Sequence, residues 1–165
     1  MTSPRASFWR RRIIAPIAGQ LRQGTTPETI ALTIALGIVL GIFPILGATT
    51  LLCGIAAAWL RLNQPIIQLV NYFVYPAQLL TLLPFYRAGE TLFGRPHLPL
   101  SIPMLVERFR DDTAKFFGDF GLIAVAGIVV WCLLAPVLAA AFYFTLRTPI
   151  RRLARRMHRT PLIAR

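Results

Sequence analysis

Two long uncharged runs constrain the fold of this chain more than any other feature. Between Thr29 and Tyr86 the only charged residue is Arg61, which separates a run of 32 residues from a run of 25. About 20 apolar residues are enough to cross a bilayer core of roughly 30 Å. Charged residues make up only 15% of the chain, against about 25% in soluble domains. The sequence therefore predicts an all-α integral membrane protein.

The first run is too long for one straight crossing and too short for two. As a single helix it would reach about 48 Å, whereas two crossings need about 40 residues and a turn. Pro44 disfavours helix at the residue before it, and Gly47 permits a turn. We therefore expect a broken helix pair within residues 26–61, at about 28–42 and 48–61. A re-entrant hairpin is the simplest form, and two short crossings fit the same pattern.

The second run carries a polar stripe on a predicted helix over residues 63–86. Five polar side chains follow one another at spacings of 4, 3, 4 and 3, which places them within an arc of roughly 80°: Gln64, Gln68, Asn71, Tyr75 and Gln78. Polar groups are costly in hydrocarbon, so the stripe should face protein or water. Apolar residues on the other faces, including Ile66 and Ile67, are expected to face lipid. Pro76 should bend this helix and leave a carbonyl near Tyr72 unpaired.

Glycine, proline, arginine and asparagine recur at the breaks of these runs, and their pattern resembles a bacterial membrane family known as "domain of unknown function 2062". The residues that carry the resemblance are Gly41, Pro44, Gly47, Arg61, Asn63, Pro76 and Gly89. The resemblance covers about residues 30–94. The chain departs from it at Ala48-Thr49, where members often have glutamine, and at Tyr75, where they often have asparagine. The resemblance implies a membrane location and this fold, but no activity, because none is established for the family.

The remaining segments complete a membrane domain over residues 26–146. Residues 87–119 form the only stretch of mixed charge and are predicted to be an external loop containing a short amphipathic helix. Residues 120–146 are 27 uncharged residues, long enough for a tilted or bent crossing. A basic leader over residues 1–25 and a basic tail over residues 147–165 flank the domain, and both are predicted to be interfacial helices. A disordered basic leader is the equal alternative for residues 1–25.

The net charge of +12 is concentrated at the two ends of the chain. Because basic residues favour the cytoplasmic side, we predict that both termini are cytoplasmic, in a multi-pass protein of the bacterial inner membrane. Clustered arginines are expected to contact anionic lipid headgroups, and the candidates are Arg10, Arg11, Arg12, Arg151, Arg152, Arg155 and Arg156. The arginines flank apolar runs instead of lining a soluble face, so no nucleic-acid partner is expected.

The residues that carry chemistry are too few and too scattered for a recognisable catalytic site. The chain has only six acidic residues and two cysteines, and both cysteines lie inside apolar runs. We therefore predict no enzymatic activity, metal or cofactor. The first functional hypothesis is a scaffold or accessory factor in envelope or lipid-linked assembly, with a membrane protein or a second copy as partner. The alternative is an oligomeric transporter or channel-like module with its site at the broken helix and the polar stripe.

Overall fold

A computed structural model describes residues 26–94, 110–111 and 113–159. Its main elements are four helices: α1 (Pro27–Gly41), α2 (Ala48–Trp59), α3 (Gln64–Leu92) and α4 (Thr113–Arg159). The described residues contain no strand, which confirms the all-helical prediction. Two stretches are long and apolar enough to cross a membrane, Gln64–Leu92 and Gly121–Arg155. The leader, residues 95–109 with the first part of the predicted short helix, residue 112 and residues 160–165 lie outside the described part of the chain, and α4 already begins at Thr113 within the predicted external loop.

The predicted break in the first uncharged run is present, and local chemistry sets its limits. The side chain of Thr26 caps α1 by accepting a hydrogen bond from the backbone N–H of Thr29 at 3.2 Å, and Pro27 occupies the first turn. After α1 ends, Gly47 turns the chain at a φ of 85°, a left-handed conformation that glycine adopts without steric cost. The result is two half-length helices joined by a short turn.

Helix α3 begins where the sequence predicts and ends later. The side chain of Asn63 caps it by accepting from the backbone N–H of Ile66 at 3.0 Å. The helix continues through Pro76 and Pro84 to Leu92, past the predicted end at residue 86. Charge does not stop the helix there, because Arg87 and Glu90 form an ion pair at 2.8 Å along its own surface.

Helix α4 corrects the prediction of a separate crossing and a separate basic tail helix. It runs without interruption for 47 residues, through Pro136 and Pro149. Ile150 and Ala154 lie in the tail and form a buried cluster with residues at the start of α1, Ile30 and Ala31. The apolar side of the tail therefore packs against protein at these positions, where the sequence predicted an interfacial helix lying on lipid.

Helix α1 lies between the two long helices. Its first turns contact the end of α4, where Ile30 packs near Ile150. Its last turn reaches the middle of α4, where the indole Nε1 of Trp131 donates to the carbonyl of Val39 at 3.1 Å. The two helices are therefore antiparallel.

The hairpin formed by α1 and α2 follows the long helices for only part of their length. Along α3 its contacts run from Gln64, which bonds the carbonyl of Gly54, to Gln78 and Tyr86, whose side chains bond the turn. Beyond the turn α3 packs against α4, with Gly89 beside Ala126. At 1.5 Å per residue α1 is about 22 Å long and α3 about 43 Å. The turn therefore lies near the middle of the longer helices, and both open ends of the hairpin lie at one end of the bundle.

Candidate functional site

The turn between α1 and α2 is held by hydrogen bonds from α3 to three successive carbonyls. The side-chain Nε2 of Gln78 donates to the carbonyl of Phe43 at 2.9 Å and to that of Ile45 at 3.3 Å. The hydroxyl of Tyr86 donates to the carbonyl of Pro44 at 2.7 Å. Residues 43–45 lie in the turn after α1 ends, so their carbonyls have no partner within a helix and are satisfied by these side chains. We call residues 42–47 with these donors the clamped turn.

Helix α4 contributes a further donor at the last turn of α1, next to the clamped turn. The N–H of Phe43 bonds the carbonyl of Leu40, so the carbonyl of Val39 lacks the partner that a continuing α-helix would supply. The indole of Trp131 donates to that carbonyl, and its ring meets the ring of Phe43 edge to face at a centroid distance of 4.9 Å. Both long helices therefore fix the turn.

The polar stripe of α3 faces the hairpin. Gln64 donates to the carbonyl of Gly54 and Gln68 to the carbonyl of Thr50, each at 3.0 Å. The amide of Asn71 donates to the hydroxyl of Thr50 at 3.4 Å, and Gln78 bonds the clamped turn. Tyr75 differs, because half of its surface is exposed. Four of the five predicted stripe residues therefore join α3 to the hairpin.

A recess opens beside the clamped turn, at the start of α2. It measures about 300 Å³ and is lined by glycine, hydroxyl and amide groups and by two tyrosines: Gly47, Thr49, Thr50, Asn71, Tyr72 and Tyr75. The first N–H groups of α2 have no side-chain cap. The groups that line the recess are suited to hydrogen bonding with a small polar group. Within the described residues there is no cluster of three histidine, cysteine or acidic side chains that could hold a metal ion.

Residues 11–159 match the family described as an uncharacterized protein conserved in bacteria, DUF2062. The chain belongs to this family. The match extends well beyond the region of residues 30–94 in which the sequence pattern is most evident, and it includes most of the basic leader and all of α4 as the structure describes it. Neither the curated proteins nor the solved structures contain a significant match to the chain.

The motif residues of this DUF2062 protein occupy structural positions around the hairpin. Gly41 lies where α1 approaches α3, since a Cβ there would come within 3.3 Å of the side chains of Asn71 and Val74. Pro44 and Gly47 form the turn itself. Together these residues set how closely the hairpin packs against α3.

The later motif residues lie along the path of α3. Arg61 occupies the connection between α2 and α3 with a φ of 52°, and Asn63 caps α3. Pro76 lies inside α3. Gly89 allows α4 to approach, because a Cβ there would lie 2.7 Å from the backbone carbon of Ala126. None of these positions presents a reactive group.

Two apolar residues of α3 differ from their predicted environment. Ile66 and Ile67 are 4% and 0% exposed, so they face protein, where the sequence predicted lipid. Ile67 lies against α1, because the glycine at position 37 brings the two backbones close together.

The sequence pattern did not predict the roles of the clamp residues Tyr86 and Trp131. Each is an aromatic residue with one polar atom in an apolar helix, a combination that favours a buried hydrogen bond.

At the basic end of the bundle, an ion pair joins α1 to α4. Glu28 bonds Arg151, and this hydrogen bond lowers the pKa of the Glu28 carboxyl below its usual value. The guanidinium of Arg147 lies 5.9 Å from the ring centroid of Tyr143. Arg152 and Arg155 are exposed. The other predicted lipid contacts, Arg10, Arg11, Arg12 and the side chain of Arg156, lie outside the described part of the structure.

Proposed function

We propose that this protein is a non-enzymatic scaffold of the bacterial inner membrane, acting as an accessory factor in envelope or lipid-linked assembly. The observation that carries the proposal is the direction of the polar stripe. Its amides bond to backbone carbonyls of the hairpin and to the hydroxyl of Thr50, so they serve as contacts between helices. Such bonds contribute about 0.6 kcal/mol each on average in a membrane protein. A rigid hairpin fixed between two long helices is suited to presenting surfaces to partners.

Large exposed apolar side chains support the membrane placement. In each of the two long apolar stretches only 22% of the most hydrophobic window is buried, whereas the core helices of a soluble protein are mostly buried. Trp59 is 84% exposed and Leu80 is 77% exposed. Burying such surface in lipid or against a membrane partner gains about 25 cal/mol per Å².

The charges at the open end of the hairpin support the orientation. Arg61, Arg147, Arg151, Arg152 and Arg155 lie at that end of the bundle, together with the start of α1. Basic residues favour the cytoplasmic side, so the hairpin enters the membrane from the cytoplasm and turns near the midplane. The partners that fit this arrangement are anionic lipids and a membrane protein or a second copy of the chain, without nucleic acid.

The recess at the start of α2 favours a second candidate, an oligomeric transporter or channel-like module. Broken helices in transporters place uncapped helix ends and polar side chains near the midplane. Here the uncapped start of α2 lies beside Asn71 and Tyr75. In this alternative the recess is filled with water and continues into a path formed with another copy.

Thiol labelling separates the two candidates. In a background with Cys53→Ala and Cys132→Ala, single cysteines replace Gln68, Asn71, Tyr75 or Leu80, and Thr26→Cys serves as the accessible reference. The scaffold predicts that membrane vesicles treated with a small water-soluble thiol reagent are modified at Thr26→Cys and remain unmodified at the other four positions. The transporter predicts modification at Asn71→Cys and Tyr75→Cys, with Leu80→Cys silent. That second pattern would overturn the scaffold proposal.

A further inference from the structure

The tail segment of α4 presents two opposite faces. Ile150 and Ala154 are each 6% exposed and pack against the start of α1. At about 100° per residue the opposite face carries four polar residues within an arc of roughly 100°. These residues line a recess of about 210 Å³: Thr148, Arg151, Arg152 and Arg155. Packing of the apolar face fixes this segment to the bundle, so the arginine recess has a defined position.

The charges in the arginine recess are only partly balanced. Arg151 bonds Glu28, whereas Arg152 and Arg155 form no ion pair with any described residue. Arg147 lies on the same segment and adds a further positive charge. One carboxylate therefore faces several guanidinium groups, and the recess favours an anion.

The geometry points to a phosphate group as the ligand of this recess. Guanidinium groups donate in a planar fork that matches phosphate oxygens and gives strong charge-assisted hydrogen bonds. Arg152 and Arg155 supply such forks, the hydroxyl of Thr148 supplies a neutral donor, and Arg151 is shared with Glu28. We propose that the arginine recess is a discrete phosphate-binding site.

A neighbouring recess gives the site a competing anion. It measures about 400 Å³ and shares Arg151 and Arg155 with the arginine recess, while Pro27, Glu28 and Ala154 complete its lining. A phosphate at the arginines has Glu28 as a negatively charged neighbour that competes for Arg151. The phosphate belongs either to a lipid headgroup or to a free anion. The lipid source rests on the proposed membrane placement, whereas phosphate binding itself does not.

Calorimetric titration of the full-length protein in a neutral detergent tests the site. The probes are inorganic phosphate, dihexanoyl phosphatidate and dihexanoyl phosphatidylcholine. We expect phosphatidate to bind at one site per chain, and phosphatidylcholine to bind at least about tenfold more weakly because its phosphate carries less charge and its choline is cationic. Tighter binding of phosphatidate than of inorganic phosphate identifies a lipid headgroup, and equal binding identifies a free anion.

Three variants distinguish a built site from diffuse surface charge. The double variant Arg152→Gln/Arg155→Gln should bind about tenfold more weakly, since it removes charge-assisted hydrogen bonds. Arg61→Gln removes a charge at the same end of the bundle outside the recess and should change binding less than about twofold. Glu28→Gln should tighten binding, because it releases Arg151 and removes a repelling charge. The proposal would be overturned if the double variant and Arg61→Gln lost binding affinity equally, or if Glu28→Gln bound more weakly. It would also be overturned if neither inorganic phosphate nor phosphatidate bound. The thiol-labelling result is independent of all these outcomes.

Discussion

At the scale of single residues, the fold depends on side chains that satisfy the carbonyls of a broken helix. Gln78 is 1% exposed and bonds two of these carbonyls, while Tyr86 and Trp131 each bond one. An unpaired carbonyl in an apolar environment carries a substantial free-energy cost. Donors from both long helices therefore stabilise the clamped turn.

The substitution Gln78→Leu tests the contribution of these hydrogen bonds. The substitution keeps the approximate side-chain size and removes the donor to the carbonyls of Phe43 and Ile45, so it should lower the free energy of unfolding by about 1–2 kcal/mol. Reversible unfolding in mixed micelles by increasing denaturing detergent measures the change. The control is Gln64→Leu, which removes one exposed bond and should cost less than about 0.5 kcal/mol. Equal effects of the two substitutions would show that the clamp does not stabilise the turn.

At the scale of helices, local features could be predicted and distant contacts could not. Pro44, Gly47 and the length of the uncharged run act within a few residues, so the break between α1 and α2 was evident in the sequence. The continuity of α4 was not evident, because the tail is held by Ile150 against Ile30. Such a contact joins residues far apart in the chain and leaves no periodic pattern of its own.

Close approach of α3 and α4 gives a prediction at the same scale. A Cβ at position 89 would lie 2.7 Å from the backbone carbon of Ala126, so Gly89→Ala should force the helices apart and cost about 1–3 kcal/mol. Gly121 lies in α4 with open space where its Cβ would be. Gly121→Ala should therefore be neutral or stabilise by up to about 1 kcal/mol. The same unfolding measurement compares them, and a neutral Gly89→Ala would show that the helices do not pack at this distance.

At the scale of the whole molecule, the hairpin, the polar stripe and the basic end form one arrangement. The periodicity of Gln64, Gln68, Asn71 and Gln78 was sufficient to predict a common face. It was not sufficient to predict what that face meets, because an amide bonds equally well to water, to a ligand or to backbone. The structure shows backbone and hydroxyl partners on the hairpin. A half-length hairpin beside two longer helices favours a re-entrant topology, and labelling can test it.

The topology prediction uses single cysteines at four positions in the background lacking Cys53 and Cys132. Thr26→Cys and Gln64→Cys lie at the open end of the hairpin and should react with an impermeant thiol reagent from the cytoplasmic side only. Gly94→Cys, past the end of α3, should react only from the opposite side.

Leu46 lies in the turn and is 50% exposed. In a re-entrant hairpin Leu46→Cys is surrounded by hydrocarbon near the midplane and stays unmodified from both sides. Two short crossings would expose it on the same side as Gly94→Cys, and that result would exclude the re-entrant hairpin. The length of α1, about 22 Å against a core of roughly 30 Å, favours the silent outcome.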